Sequence, residues 1–365
     1  MKILFVYQYC SLGGCETVLR NRLVGFREHG LAPEVVLLKD IGGGEIFRGF
    51  TGVTYPCAPD QLERIVERGR FDVVAAIDTP QAYPVLARAG FAGTLVTEVH
   101  SNRLDNLQYL QDLPSTGTRL VITPSRYEEE LIYREFPWLR GGPIPIRIVP
   151  NPIDRSLFRF VPPSVAPRRK LLGWVGRLEP EKNWRHFLEV AAELARTRDD
   201  VDFIVLGGFA VTDDVKRDFL ATVKALGLID RVRWVSSLAY EHMPRFYSLL
   251  AASGGALVPT SVIEPFGMSV IEAMSCGCPV VASRAGAFEE LIEHGRTGIT
   301  FEVNDTRGAA DGVAAVLDDQ ALRRRIVDAA LARIDERWAA GPIAARYLET
   351  VRSVVEGAAR PRAAV

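Results

Sequence analysis

The sequence predicts an α/β protein with two doubly wound domains, each built on a parallel sheet. Short apolar runs without polar alternation recur between helix-length segments, a pattern typical of buried parallel strands. This rhythm stops at residues 161–167, Val-Pro-Pro-Ser-Val-Ala-Pro, and then starts again. Proline removes backbone donors and favours extended chain, so this stretch is the predicted linker. The length of 365 residues agrees with two domains at roughly 150 residues each.

The predicted strands fall into two series of five. The first domain has strands at residues 3–7, 34–38, 71–77, 94–99 and 120–123, and the second at 171–175, 201–206, 232–235, 256–258 and 280–282. We place the N-terminal domain at 1–160 and the C-terminal domain at 161–340. Residues 341–365 are predicted as a helix that packs back on the N-terminal domain, followed by a disordered tail. Ligands of such sheets bind at the carboxyl ends of the strands, so a shared central cleft is expected.

Composition excludes several classes of protein. The chain has 44 Lys and Arg against 45 Asp and Glu, a balance that gives no electrostatic footprint for nucleic acid. Five cysteines without paired spacing predict neither a disulfide framework nor a zinc site and favour a reducing cytoplasm. No signal peptide or membrane-spanning run is predicted, and a peripheral contact with the inner membrane face is left open. The excess of Arg over Lys indicates a GC-rich bacterial genome.

The segment Ile263–Pro279 carries the strongest chemical pattern. Its residues 269–275 predict a helix with Pro265 in the first turn. Glu264 is then expected at the mouth of the helix, and Glu272 about 12 Å deeper along it. Carboxylates so spaced can bind different parts of one elongated ligand. The backbone amides at the helix start would face an anion: Phe266, Gly267 and Met268. The alternative is a helix with two solvated glutamates.

A second pattern is Gly-Arg-Leu-Glu-Pro-Glu-Lys-Asn at residues 176–183, directly after a predicted strand. Gly176 permits a sharp turn, and Arg177 and Lys182 on one loop can neutralise a diphosphate. The alternative is a solvated turn with ordinary surface charge. A third pattern is the pair Gly13 and Gly14 after the first strand, where backbone can approach a phosphate or sugar closely. This loop lacks the dinucleotide fingerprint G-x-G-x-x-G, and the alternative is an ordinary strand-to-helix turn without a binding role.

Two weaker signals lie at strand ends. Gly207, with Gly208, ends a predicted strand and would let a nucleotide approach the backbone. His100 follows the strand at 94–99, where it should face the cleft. A lone histidine is more often structural than catalytic.

Together these segments resemble the family-four retaining glycosyltransferases of the E-x7-E type, which have the GT-B fold of two Rossmann-like domains facing a cleft. The resemblance implies that Glu264 binds hydroxyls of the donor sugar and Glu272 the nucleotide ribose. It implies that Arg177 and Lys182 hold the departing phosphates and that Gly14 lies nearest the donor diphosphate. His100 would contact the donor sugar or the reacting centre. Ser101 stands where the family often has an acid. Residues 233–236, with Arg233 and Val235, would seat the nucleobase mainly through main-chain contacts.

The resemblance implies transfer of a sugar from a nucleoside diphosphate sugar to an acceptor hydroxyl, with UDP- and GDP-sugars favoured over ADP-sugars. The acceptor is left open among glycans, lipid-linked sugars and small molecules. We expect no tightly bound cofactor and no metal, because the five histidines are scattered and no D-x-D motif occurs. Phosphate charge would be met by cations and amides, in a front-face substitution without an enzyme nucleophile. The alternatives are a sugar-nucleotide epimerase, a phosphorylase of the same shape and a non-catalytic nucleotide-sugar binding protein.

Overall fold

The structure, a computed structural model, describes residues 1–165, 167–209 and 211–359. The chain divides into two compact units. The first comprises Met1–Asp154 together with the chain from Trp338 onward, and the second comprises Arg155–Arg337. The boundaries predicted from the sequence, at residues 160 and 340, lie a few residues further along the chain.

The first unit contains a parallel sheet with the strand order β3-β2-β1-β4-β5-β6-β7 over the described residues. The strands are β1 (Ile3–Cys10), β2 (Glu34–Asp40), β3 (Val53–Thr54), β4 (Val73–Ile77), β5 (Thr94–Glu98), β6 (Thr118–Thr123) and β7 (Ile146–Ile148). The order reverses between β1 and β4, which both pair with their neighbours in parallel register. The connecting helices are α1 (Gly14–Glu28), α2 (Pro59–Gly69), α3 (Ala82–Arg88), α4 (Leu104–Leu107), α5 (Leu113–Thr116) and α6 (Arg126–Glu135).

The second unit repeats this arrangement. Its strands are β8 (Lys170–Val175), β9 (Val201–Leu206), β10 (Val232–Val235), β11 (Ala256–Leu257), β12 (Val281–Ser283) and β13 (Ile299–Phe301). The order is β10-β9-β8-β11, and a bridge from Leu257 to Val280 leads on to the pair β12-β13. The order therefore reverses between β8 and β11. The helices are α7 (Trp184–Ala195), α8 (Asp213–Ala225), α9 (Met243–Ala252), α10 (Met268–Ser275), α11 (Phe288–Leu291), α12 (Thr306–Asp318) and α13 (Gln320–Arg337).

The last helix, α14 (Ala340–Ala359), belongs to the first unit although it follows the second in sequence. It packs on α1, and Gly25 permits this close approach because a Cβ there would overlap the Ala340 carbonyl. Tyr347 and Val351 are buried on its inner face. The residues of the predicted disordered tail from 360 onward lie outside the described residues.

The α/β class predicted for both halves is confirmed, and every predicted strand overlaps an observed one. The short strands β3, β7 and β13 were not predicted. Single 3₁₀ turns complete the described elements at Gly44–Phe47, Gln108–Asp112, Pro137–Leu139, Pro180–Lys182 and Tyr240–His242. Within the described chain, no helix is long and apolar enough to cross a membrane.

Candidate active site

The second unit joins two predicted site residues at the point where its strand order reverses. The loop after β8 ends in the 3₁₀ turn that carries Lys182, and the loop after β11 carries Glu264. The Lys182 Nζ lies 2.6 Å from Glu264 Oε2, and the Ser261 hydroxyl donates to the same oxygen at 3.3 Å. The Glu264 side chain is almost fully buried. An ammonium and a carboxylate thus meet at the carboxyl ends of β8 and β11, where ligands of doubly wound sheets bind.

The expectation that Glu264 and Glu272 lie on one helix was wrong. The helix α10 begins only at Met268, so Pro265 is not in its first turn and Glu264 lies in the preceding loop. Gly267 explains the late start because its φ of 108° is incompatible with helical backbone. The amides of Phe266 and Gly267 belong to this loop, and that of Met268 begins the helix. The Glu264 carbonyl accepts the Ala287 N–H at 2.9 Å, which ties the loop to the turn before α11.

Glu272 lies within α10 and is buried. The Tyr247 hydroxyl donates to its Oε2 at 2.8 Å. Burial raises the pKa of Glu272 to about 8, although the hydrogen bond from Tyr247 opposes the rise. The carboxyl is therefore largely protonated at neutral pH in the ligand-free chain, and it can both donate and accept a hydrogen bond.

Arg177 stands apart from the Lys182–Glu264 pair. Its side chain is 65% exposed, and its Nε pairs with Glu179 Oε1 at 3.0 Å. The structure therefore places both predicted phosphate cations on one loop but brings only Lys182 to Glu264. An exposed guanidinium held by a local partner can be drawn to a ligand at small cost.

The ends of β9 and β10 approach the same loop. Gly207 has a φ of 144°, and a Cβ there would overlap the Gly176 carbonyl, so only glycine fits. The Trp234 Nε1 donates to the Gly207 carbonyl at 2.7 Å, which fixes this turn. Arg233 and Val235 are exposed on β10, on the opposite face from Trp234. Gly207 thus lies against Gly176, at the start of the loop that carries Lys182.

In the first unit the glycine loop follows β1, and Gly13 is the N-cap of α1. Glu16 Oε1 accepts both the N–H and the hydroxyl of Ser11 at 2.5 Å, which closes the loop on itself. A Cβ at Gly13 would lie 2.8 Å from Glu16 Oε2, whereas one at Gly14 would meet nothing within 4 Å. A side chain at Gly13 would thus displace the Glu16 carboxylate, and Gly14 leaves open space beside the helix start.

His100 follows β5 and is held by two buried carboxylates. Its backbone N–H donates to Asp78 Oδ2 at 2.9 Å, and its ring Nε2 lies 3.3 Å from Glu98 Oε2. Asp78, at the end of β4, has a φ of 40° and also accepts the Tyr109 hydroxyl at 3.2 Å. Burial raises the pKa of Asp78 to about 6, against the lowering effect of His100 and Tyr109.

Sequence reasoning missed the group that surrounds Glu98. Arg22 Nη1 lies 2.5 Å from Glu98 Oε2, and the Tyr347 hydroxyl donates to Oε1 at 2.8 Å. Burial alone would raise the pKa of Glu98, but Arg22 and His100 outweigh it and hold the pKa at about 2. These residues come from β5, α1 and α14, so their proximity could not be read from spacing. The one available signal was a charged residue inside an apolar strand run.

No group of three or more His, Cys, Asp or Glu within the described ranges is arranged to hold a metal ion. The expectation of metal-independent chemistry stays a prediction.

The sequence of this chain is similar to a known protein family and to several characterised proteins. Residues 160–333 match the family model described as glycosyl transferases group 1. The chain is 33% identical over 160 residues to alpha-D-kanosaminyltransferase of Streptomyces kanamyceticus, covering 44% of this chain and 39% of that protein. It is 27% identical over 282 residues to glycogen synthase of Mycobacterium tuberculosis, covering 73% and 64%. The chain therefore spans less than two thirds of either relative.

Two solved structures show the same GT-B fold. The Anabaena protein Alr3699/HepE, in complex with UDP and glucose, superposes with a TM-score of 0.80 at 24% identity, covering 97% of this chain and all of that chain. Sucrose-phosphate synthase of Thermosynechococcus elongatus superposes with a TM-score of 0.75 at 19% identity, covering 98% and 99%. The GT-B class predicted from the sequence is confirmed by these matches.

Proposed function

We infer from the match of residues 160–333 to the group 1 glycosyl transferases that the chain acts as a member of that family. On this premise we propose that the protein transfers a sugar from a nucleoside diphosphate sugar to an acceptor hydroxyl with retention of anomeric configuration. Residues 161–340 would bind the donor and residues 1–160 the acceptor.

The observation that carries the proposal is the contact of Lys182 with Glu264 at 2.6 Å, where the second sheet reverses its order. A nucleoside diphosphate sugar has an anionic phosphate directly joined to a polyhydroxylated ring. A cation beside a hydrogen-bond acceptor matches these two parts. Lys182 would turn to the β-phosphate, and Glu264 would accept hydroxyl groups of the sugar.

The second unit would also supply most of the remaining contacts to the sugar-nucleotide donor. Glu272, buried beside Tyr247, would bind the ribose hydroxyls. Gly207 and the backbone of Arg233 and Val235 would accept the nucleoside, and the amides of Phe266, Gly267 and Met268 would face the phosphates. In the first unit, Gly13 and Gly14 would approach the diphosphate, and His100 the sugar or the reacting centre.

The reaction would be a front-face substitution. The acceptor oxygen bonds to the anomeric carbon as the bond to the β-phosphate oxygen breaks, and that oxygen receives the acceptor proton. Negative charge develops on the leaving diphosphate, so Arg177 and Lys182 bind it more tightly in the transition state than in the ground state. We assign no enzyme nucleophile and no metal to this step, and activity should persist in excess EDTA.

We favour UDP- and GDP-sugars over ADP-sugars as donors. The UDP and glucose named with the Anabaena structure support the first of these. Thermal-shift measurements with UDP, GDP and ADP would separate them, because a ligand at 100 times its dissociation constant stabilises the fold by about 2.7 kcal/mol. Nucleotide release that depends on an added acceptor would exclude an epimerase and a non-catalytic binding protein.

We call the pair Arg177 and Lys182 the phosphate clamp. It is tested by Lys182→Met and Arg177→Ala, with Arg196→Ala as the matched control. Arg196 is likewise an exposed arginine paired with a nearby glutamate, Glu193, but lies at the far end of α7. We expect kcat to fall at least about a hundred-fold in the first two variants, since each removes a charge that acts on the leaving group. Near-normal kcat in both clamp variants, with a true acceptor, would overturn the assignment.

A further inference from the structure

The ring of His100 is oriented by a residue that lies two positions before it in the sequence. In a neutral imidazole one nitrogen carries hydrogen and the other a lone pair, and the partner of one nitrogen decides which is which. Glu98 Oε2 lies 3.3 Å from Nε2 of His100. An ionised carboxylate only accepts hydrogen bonds, so Nε2 must carry the hydrogen.

Glu98 is itself held in one position by two further donors. Arg22 Nη1 donates to Oε2 at 2.5 Å, and the Tyr347 hydroxyl donates to Oε1 at 2.8 Å. The Glu98 and Arg22 side chains are 0% and 1% exposed. The Arg22 guanidinium lies over the rings of Phe5 and Tyr347, at 5.6 and 4.9 Å from their centroids. These contacts keep the carboxylate charged and immobile without contact with solvent.

Ser101, the residue after His100, does not orient the His100 ring. The Ser101 hydroxyl accepts the Arg103 N–H at 3.4 Å and the Asn106 side-chain amide at 3.2 Å, so it serves the turn that precedes and begins α4. Asp78 holds only the backbone N–H of His100. Within the described residues, the Glu98 carboxylate is the hydrogen-bond acceptor for the His100 ring, at Nε2. No hydrogen bond to Nδ1 is found there.

We propose that Glu98 is a positioning residue that fixes the tautomer of His100, so that Nδ1 presents its lone pair to a hydroxyl of the ligand. The helix α14 takes part through Tyr347, which holds the second carboxylate oxygen. The part of this inference that concerns the ligand rests on the proposed function. The tautomer itself does not, and it can be measured in the ligand-free protein.

The full chain labelled with ¹⁵N-histidine gives the direct test. The His100 ring is assigned by its loss in His100→Gln, and the spectrum is followed to a pH at which the ring is neutral. We expect a pyrrole-type Nε2 and a pyridine-type Nδ1. The opposite tautomer, or an equal mixture of the two, would overturn the proposal whether or not any variant folds.

Two double variants isolate the acceptor from the charge pair. Arg22→Met with Glu98→Gln keeps a side-chain oxygen for Nε2, whereas Arg22→Met with Glu98→Leu removes it. Neither leaves an unpaired buried charge. We expect the glutamine variant to keep the wild-type tautomer and the leucine variant to lose it. The same tautomer in both, with circular dichroism showing both folded, would contradict the role of Glu98.

Kinetics then connect the tautomer to the reaction. The leucine variant should lose about ten-fold or more in kcat relative to the glutamine variant, with unchanged affinity for nucleoside diphosphate, because neither Glu98 nor His100 is among its proposed contacts. Equal kcat in the two would overturn the link to catalysis. A wild-type protein with no turnover for any donor and acceptor would defeat the proposed function instead, and the tautomer measurement would still stand.

Discussion

Among the individual residues, Glu272 shows how burial changes the chemistry of a side chain. Its carboxyl lies inside the second unit beside Tyr247, and burial raises its pKa from an ordinary value of 4.5 to about 8. A ribose supplies two hydroxyl groups that can donate to this carboxyl. We infer that Glu272 suits a neutral group of the ligand, such as the ribose hydroxyls, whereas Lys182 suits the charged phosphates.

This raised pKa predicts a pH dependence of stability. The native state keeps a proton that the unfolded chain loses above pH 4.5, so the free energy of unfolding should fall as the pH rises from about 4.5 to about 8. The slope from one such group is at most about 1.4 kcal/mol per pH unit. Glu272→Gln removes the titrating group and keeps a partner for Tyr247.

Urea denaturation at several pH values, compared between wild type and Glu272→Gln, measures the contribution. The difference in unfolding free energy between the two proteins should shift in favour of the variant across this window. Asp78 also titrates within the window, near pH 6, and it cancels in the difference because it is present in both proteins. A difference that stays constant with pH would contradict the raised pKa.

The two glutamates should also differ in what they bind. Glu272→Ala should weaken both bare nucleoside diphosphate and donor, because both carry the ribose. Glu264→Ala should leave nucleoside diphosphate affinity nearly intact and lower kcat, because it removes a contact to the transferred sugar. Calorimetric titration beside steady-state kinetics measures both effects. An equal loss of nucleotide affinity in two folded variants would mean that the roles are not separated.

Among the elements, α10 shows where sequence patterns mislead. The proline at 265 suits the first helical turn by its fixed φ, and this predicted a helix that included Glu264. The observed helix begins at Met268, after Gly267 with its φ of 108°. A glycine that ends one conformation and starts another is not distinguishable in the sequence from one within a loop. The placement of the two glutamates on one helix was wrong for this reason.

Gly267 should therefore be sensitive to substitution for two reasons. Its φ is strained for any other residue, and a Cβ would lie within 3 Å of the Phe288 ring. Gly295 is a matched control, because its φ of 74° is also positive but a Cβ there meets nothing within 4 Å. We expect Gly295→Ala to cost about 1 kcal/mol of unfolding free energy and Gly267→Ala about 2 kcal/mol more.

Chemical denaturation of the two alanine variants gives both values. Equal losses would show that the Phe288 ring moves aside freely and that only backbone strain matters at Gly267. In that case the start of α10 would be less constrained than its packing indicates.

At the level of the whole molecule, the sequence predicted the parallel sheets well because their strands are buried apolar runs. It missed β3, with two residues, and β7 and β13, with three each. The strands β11 and β12 are equally short but were predicted, because they overlap the apolar runs at 256–258 and 280–282. The pattern of the loop at 176–183 predicted that Lys182 binds phosphate. It could not predict the contact of Lys182 with Glu264, which lies 82 positions away. The cluster of Arg22, Glu98 and Tyr347 was missed for the same reason: pairing across distant elements depends on the fold.

The division into units makes a final prediction about folding and binding. The second unit is one continuous stretch, Arg155–Arg337, with its own apolar core, which β8 and β9 build together with α7 and α12. The residues assigned to the nucleotide and phosphates there, Lys182, Glu264 and Glu272 among them, lie inside this stretch. Residues 155–337 expressed alone should therefore unfold cooperatively and bind nucleoside diphosphate within about ten-fold of the full chain.

The first unit should behave differently, because it is built from two separate stretches. Residues 1–154 alone lack α14, which buries Tyr347 and Val351 and supplies a hydrogen bond to the buried Glu98. Without that helix, the α1 surface beneath it would be exposed and Glu98 would lose a donor. We expect residues 1–154 to show no cooperative transition, and the same fragment joined by a flexible linker to residues 338–356 to regain one. Calorimetric melting of the three fragments measures this, and a cooperative transition in residues 1–154 alone would show that α14 is dispensable for the fold of the first unit.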